Sequence, residues 1–138
     1  MPRKKADPGF GHGQLRLLLL PGRYALCRLD PCQDIPDWAI RERPFVSLTY
    51  TADELSIVCP ERDVPPQVEC DRGWAVLKVR GPLDLSLTGV LDSLAAPLAR
   101  EGIPLFVVST FDTDYLLVKA RQLTEARMAL ERAGHKFE

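Results

Sequence analysis

The sequence has 138 residues, which is enough for one domain or two very small ones. Hydrophobic residues make up 46% of it and charged residues 27%, so the composition excludes a chain that is disordered throughout. The net charge of −1 argues against a nucleic-acid-binding protein, because such proteins usually carry a basic surplus. Apolar runs such as residues 17–21 are far too short to cross a membrane, and no signal-peptide core follows Lys4 and Lys5. We therefore expect a cytoplasmic protein with no nucleic-acid or membrane partner.

Residues 1–13 are predicted to form a flexible leader, because basic residues are followed there by proline and glycine. Its glycines follow a Gly-x-Gly-x-Gly spacing. No strand pattern precedes them and no helix pattern follows, so the segment is not predicted to bind phosphate.

The four cysteines are Cys27, Cys32, Cys59 and Cys70, and no two of them form a Cys-x-x-Cys pair. The spacing therefore predicts neither a zinc site nor a thioredoxin-type site. Cys27 and Cys59 lie in apolar runs, where we expect them to be buried as small hydrophobic residues. The even number of cysteines leaves disulfide bonds open.

In the first half, apolar runs at residues 15–20 and 24–29 flank Pro21-Gly22-Arg23, which predicts a hairpin. Residues 31–43 are predicted to be irregular, or to form one helical turn that places Trp38 in the core. A second hairpin is expected from residues 45–50 and 54–59. The proline-rich residues 60–72 are predicted to connect the two halves.

The second half is predicted as strand, helix, strand, strand, helix. The first strand covers residues 74–80, the first helix 87–101, the hairpin 103–110 and 115–119, and the last helix about 123–133. A kink is expected at Pro97. The positions predicted to face inward are Leu87, Leu91, Leu94 and Leu98 in the first helix and Leu123, Ala126, Leu130 and Ala133 in the second.

An internal repeat relates the halves. Residues 49–57 align with residues 110–118 at an offset of 61 residues, which pairs Asp53 with Asp114. A duplicated module is the interpretation we favour. It divides the chain into an abbreviated N-terminal module at residues 14–72 and a C-terminal module at residues 73–138.

Motifs of common catalytic sites are missing: the sequence has no Gly-x-Ser-x-Gly, no His-Glu-x-x-His, and only two histidines, His12 and His135. A histidine at the end of a helix, such as His135, is explained by the helix dipole. A small enzyme would need a nucleophile clustered with a base, which the sequence does not indicate, so we expect a protein without catalytic residues, cofactor or metal.

Two segments could bind a ligand. Gly89 and Val90 lie where a loop meets the start of a helix, a position at which backbone N–H groups favour a carboxylate. Thr110, Phe111, Asp112 and Asp114 fall in one short loop that offers carboxylates, a hydroxyl and an aromatic ring to a cationic group. The alternative is that both segments only form turns, for which Gly, Asp and Thr are common residues.

The same segments resemble a known family. Residues 86–91 with 98–103 are similar to the Gly-Val-Leu to Ala-x-x-Gly-Ile signature of ACT domains, and residues 109–118 resemble the CASTOR-type ACT subfamily. This resemblance implies an α+β fold of ferredoxin-like modules in tandem, with antiparallel sheets that carry helices on one face. It also implies that Gly89, Val90, Asp92, Phe111 and Asp114 bind the ligand, and the loop adds Thr110 and Asp112.

We therefore expect a non-catalytic regulatory protein that binds a small molecule, most plausibly an amino acid. Since the pocket of the family lies between modules, a homodimer is expected. The alternative is a ligand-free assembly module that uses its sheets only to dimerise, and a small enzyme is the third interpretation.

Overall fold

The computed structural model describes residues 14–84 and 88–138. The predicted leader at residues 1–13 and the predicted inward-facing Leu87 lie outside the described residues. The strands are β1 (Arg16–Leu19), β2 (Tyr24–Leu29), β3 (Ser47–Tyr50), β4 (Leu55–Pro60), β5 (Cys70–Val79), β6 (Phe106–Ser109), β7 (Asp114–Lys119) and β8 (Lys136–Phe137), and the helices are α1 (Val90–Arg100) and α2 (Leu123–Arg132). Neither helix has the length and apolar character needed to span a membrane.

The described chain separates into two compact units. The N-terminal unit is Pro21–Ala75, and the C-terminal unit combines residues 14–20 with Val76–Glu138. Sequence analysis had divided the chain between residues 72 and 73 instead, and whether each part is a module in its own right stays a prediction.

In the N-terminal unit the strands follow the order β3, β4, β2, β5, with antiparallel pairing throughout. Alternate residues of a strand point to the same side of a sheet, so the apolar positions of β2 and β4 share one face. The buried cluster there consists of Ala25, Cys27, Leu29, Ala39, Leu55, Ile57, Cys59 and Val64. Trp38 packs against this cluster and is half-buried, while its neighbour Ala39 is the fully buried residue of the predicted helical turn, Asp37–Ile40.

The four cysteines are free thiols. Cys27 and Cys59 are buried, as predicted from their apolar surroundings, and Cys27 lies opposite Cys70 across β2 and β5. A hydrogen bond with Cys59 and, after it, burial raise the pKa of the Cys27 thiol, which therefore stays protonated and behaves as a small core residue.

The predicted hairpin between residues 15–20 and 24–29 is wrong. β2 pairs with β4 and with β5, so both of its edges are occupied. β1 pairs with the last part of β5, opposite Val79, and with β8. The cause is the length of β5, which begins at Cys70 in the segment that had been predicted as a connection and is ten residues long.

The C-terminal unit contains the strand order β8, β1, β5, β7, β6 and both α-helices. β6 and β7 form the predicted antiparallel hairpin, and the predicted order of strand, helix, strand, strand, helix is confirmed. β8 was not predicted, and it pairs with β1 in parallel, so the sheet is mixed rather than wholly antiparallel. The fold class is therefore α+β, with a mixed sheet and two helices.

The two helices contact each other, and each buries part of its predicted stripe. Leu94 and Leu98 of α1 and Ala126 and Leu130 of α2 are fully buried. Leu91 is 42% exposed because it lies in the first turn of α1. In α2 the buried third position is Ala129, while Ala133 lies beyond the helix and is exposed.

His135 compensates for the proline inside α1. Pro97 has no N–H to donate to the carbonyl of Ser93 four residues earlier. His135, which is 3% exposed, lies with Nε2 at 2.9 Å from that carbonyl oxygen, and its Nδ1 accepts the N–H of Leu15 at 3.1 Å. Because Nδ1 is an acceptor here, the proton belongs on Nε2, which donates to Ser93. α1 runs on through Pro97 to Arg100.

The two hairpins are equivalent, but at a different offset from the one that the sequence indicated. Ser47–Tyr50 and Leu55–Pro60 correspond in length and spacing to Phe106–Ser109 and Asp114–Lys119, so the offset is 59 residues rather than 61. Thr51 and Thr110 open the two turns with the same bond, from their N–H to the carbonyl three residues on, at 2.9 and 2.8 Å. Asp53 therefore corresponds to Asp112, and Asp114 corresponds to Leu55.

Candidate functional site

An open pocket of about 360 Å³ lies in the C-terminal unit, between the start of α1 and the turn that joins β6 to β7. Six of the seven sequence-predicted site residues line it: Gly89, Val90, Asp92, Thr110, Asp112 and Asp114. The remaining lining residues are Leu83, Asp84, Leu91, Ser109 and Thr113. The structure thus brings together two segments that are about twenty residues apart in the sequence.

Phe111 is the predicted residue that does not line the pocket. Its side chain is 71% exposed at the tip of the turn. Its predicted contact with the cationic group of a ligand stays a prediction.

The α1 side of the pocket is a helix start without a side-chain cap. Gly89 takes the cap position with a φ of 78°, in the left-handed region that favours glycine. Apart from its chain neighbours, no atom of the described residues lies within 4 Å of where its Cβ would be. The glycine is thus required by the turn rather than by crowding. The Ser93 N–H donates to the Gly89 carbonyl at 2.9 Å and closes the first turn. The earlier N–H groups of a helix have no partner within it, so those from Val90 onward favour an anionic group.

The opposite side of the pocket is a rigid turn. The Thr110 hydroxyl donates to the Thr113 carbonyl at 3.0 Å and accepts the Thr113 N–H at 3.3 Å. The Thr113 hydroxyl is buried and donates to the Val79 carbonyl of β5 at 2.6 Å. These bonds fix the backbone of the turn relative to β5.

Gly81 brings the loop before α1 against this turn. A Cβ on Gly81 would lie 3.0 Å from both the Asp112 carbonyl oxygen and the Thr113 Cβ. The Leu83 N–H donates to the same Asp112 carbonyl at 2.7 Å. The close approach therefore places Leu83 and Asp84 at the pocket. Leu83 was not among the predicted site residues, and the signal for it in the sequence was the Gly81-Pro82 pair that follows the preceding strand.

The pocket is acidic. Asp84, Asp92, Asp112 and Asp114 line it, and the lining residues that the structure describes include no lysine or arginine. Such a rim attracts an ammonium or guanidinium group through charge-assisted hydrogen bonds. Within residues 14–84 and 88–138, no group of three or more His, Cys, Asp or Glu side chains is arranged to hold a metal ion.

Two family models match the chain. The ACT domain model matches residues 69–132, a range that includes the whole pocket. A second model, described as an N-terminal domain, matches residues 22–67.

The cytosolic arginine sensor for mTORC1 subunit 1 of Bos taurus is 28% identical over 134 residues. The match covers 86% of this chain but 35% of the sensor, so the chain spans about a third of the length of that relative. Its human counterpart is also 28% identical, with the same coverage.

Among solved structures, an X-ray crystal structure of a protein from Agrobacterium tumefaciens superimposes with a TM-score of 0.85 and 42% sequence identity, over 91% of this chain and 92% of that one. The ligand-free regulatory subunit of aspartate kinase from Thermus thermophilus superimposes with a TM-score of 0.53 and 13% identity, over 81% and 91%. The second likeness concerns the fold alone.

Proposed function

We propose that this chain, whose residues 69–132 match the ACT domain model, is a non-catalytic regulatory protein that binds an amino acid in the pocket of its C-terminal unit. The observation that carries this proposal is the pocket itself, in which an uncapped helix start faces an acidic turn within the ACT-matched residues. Its carboxylates, hydroxyls and backbone amides are groups that bind ligands. We extend the cytosolic location in the name of the arginine sensors to this chain as part of the same proposal.

An amino acid offers the two opposite charges that this pocket suits. Its α-carboxylate fits the N–H groups at the start of α1, near Gly89 and Val90, where the helix dipole is positive. A cationic group fits Asp114, with Asp92 and Asp112 at the same rim. Several carboxylates exceed what one α-ammonium group needs, so we favour an amino acid with a second positive charge. Arginine, named in the description of the relatives, is the first to test.

The proposal includes two ACT-like modules in each chain and a homodimer. The equivalent hairpins β3–β4 and β6–β7 support the repeated module, as does the separate match of residues 22–67. The chain has about a third of the length of the arginine sensor, so a second copy is expected to complete the set of modules. β6 pairs only with β7 among the described strands, and a sheet edge of this kind can take a further strand.

A thermal-unfolding screen with each of the twenty amino acids tests the proposal. A ligand that binds the native state raises the midpoint by mass action, so arginine or lysine should give the largest rise at about 1–10 mM. No rise with any of them would favour the alternative, a ligand-free assembly module.

Calorimetry on two aspartate variants then tests the site. Asp114→Ala removes a charge-assisted hydrogen bond, for which about 1.5–3 kcal/mol corresponds to roughly ten- to hundredfold weaker binding. Asp53→Ala is the matched control, because Asp53 lies in the equivalent turn of the N-terminal unit and does not line the pocket. If folded Asp114→Ala binds like the unmodified protein, the ligand binds elsewhere.

A further inference from the structure

A second pocket of about 340 Å³ lies in the N-terminal unit, at the end of the β3–β4 hairpin opposite its turn. Pro21, Pro44 and Pro60 line it and form an apolar wall. Its other lining residues are Gly22, Arg23, Tyr24, Glu61 and Arg62. The Glu61 N–H donates to the Arg23 carbonyl at 2.9 Å, which joins the ends of β2 and β4 at this pocket.

Tyr24 is a buried residue in the lining of this pocket. The residue is 1% exposed, and its ring meets that of Phe45 edge to face at 6.2 Å between centroids. The hydroxyl is buried and makes no hydrogen bond to any of the described residues. A buried hydroxyl left unpaired costs about 1–3 kcal/mol, so such a group in a native protein calls for an explanation.

The protonation state of Tyr24 makes it a donor. Burial raises the pKa of its hydroxyl, and the positive charge of Arg62 lowers it by a smaller amount. The hydroxyl is therefore protonated at neutral pH and can give its proton to an acceptor. Arg62 and Tyr24 both line the pocket.

The charges at the pocket favour an anion. Two arginines line it, and Glu61 is the only acidic residue among the lining residues. Arg62 forms an ion pair with Glu42, which lies outside the lining, and both side chains are well exposed. The lining thus carries more basic than acidic residues, in contrast to the acidic pocket in the C-terminal unit.

We propose that this second pocket binds a small molecule through a carboxylate or phosphate group, with Arg23, Arg62 and the Tyr24 hydroxyl as its donors. Arginine guanidinium groups bind such oxyanions with two parallel hydrogen bonds, and the hydroxyl adds a third donor from the buried side. The prolines contact the apolar part of the molecule. The inference does not depend on the amino-acid pocket.

The test is calorimetry with inorganic phosphate and, separately, with succinate, at constant ionic strength set with chloride. One or both probes should bind, and the difference between them identifies phosphate or carboxylate as the preferred group. Tyr24→Phe deletes only the unpaired hydroxyl, so the unliganded variant should be at least as stable as the unmodified protein while binding weakens about tenfold or more.

Arg23→Gln should weaken binding by a similar factor, and its exposed position leaves the fold intact. Arg41→Gln is the matched control, since Arg41 is exposed in the same unit but does not line the pocket. The proposal is overturned if neither probe binds, if Arg41→Gln weakens binding as much as Arg23→Gln, or if Tyr24→Phe binds like the unmodified protein.

Discussion

His135→Ala is expected to destabilise the C-terminal unit mainly through the carbonyl that Pro97 leaves without a partner. The substitution removes the bond from Nε2 to the Ser93 carbonyl and the bond from the Leu15 N–H to Nδ1. Each loss leaves a buried or half-buried backbone group unpaired, at about 1–3 kcal/mol, so the free energy of unfolding should fall by about 2–6 kcal/mol.

A double-mutant cycle isolates the contribution of the proline. In Pro97→Ala, residue 97 regains an N–H that can donate to the Ser93 carbonyl. His135→Ala should therefore cost about 1–2 kcal/mol less in that background than in the unmodified protein. Urea unfolding of the four proteins measures the coupling. The reasoning is refuted if the two substitutions add within about 0.5 kcal/mol, which is the behaviour of independent sites.

Three further predictions concern the pocket and the C-terminal strand. Thr113→Val keeps the shape of the side chain but leaves the Val79 carbonyl without its 2.6 Å partner, and thermal unfolding should show a loss of about 1–3 kcal/mol; an unchanged midpoint would contradict this. Gly81→Ala places a Cβ at 3.0 Å from the β6–β7 turn, so the turn must shift at the pocket. Calorimetry should then show weaker amino-acid binding than in the unmodified protein, and equal affinity would contradict this prediction. The Arg80 guanidinium holds the pKa of Glu138 below its ordinary value, so this ion pair stabilises the fold above about pH 4.3 and the contribution disappears as the pH falls through the lower folded pKa. Glu138→Gln should therefore be less stable than the unmodified protein at neutral pH, and this difference in stability should shrink as the pH falls in acid unfolding curves. A difference that persists at the lowest pH would contradict the assignment of the effect to this ion pair.

Local patterns in the sequence were sufficient to predict most of the secondary structure. Both hairpins, at residues 45–59 and 103–119, form where turn residues separate runs of strand-forming residues. The helices α1 and α2 form where apolar residues recur at helical spacing. These signals depend on neighbouring residues only, so a single sequence contains them.

The candidate site was predicted in part for the same reason. Gly89 and Asp114 each belong to a local turn motif, and their resemblance to one family predicted that the two turns meet. Phe111 shows the limit of that inference, because a position in the right loop does not determine where the side chain points. The internal repeat was visible, yet the matching letters placed it two residues out of register.

Tertiary structure alone decided which strands pair and which groups distant in the sequence form hydrogen bonds with one another. The apolar run of β1 predicts a strand but not its neighbours. The structure pairs β1 with the ten-residue β5 and with β8, instead of with β2 as predicted. Similarly, the proline in α1 indicated a kink, whereas the carbonyl it leaves unpaired is satisfied by His135, 42 residues beyond Ser93. Pairings of this kind depend on where the folded chain brings backbone groups that must find a partner once they are removed from water.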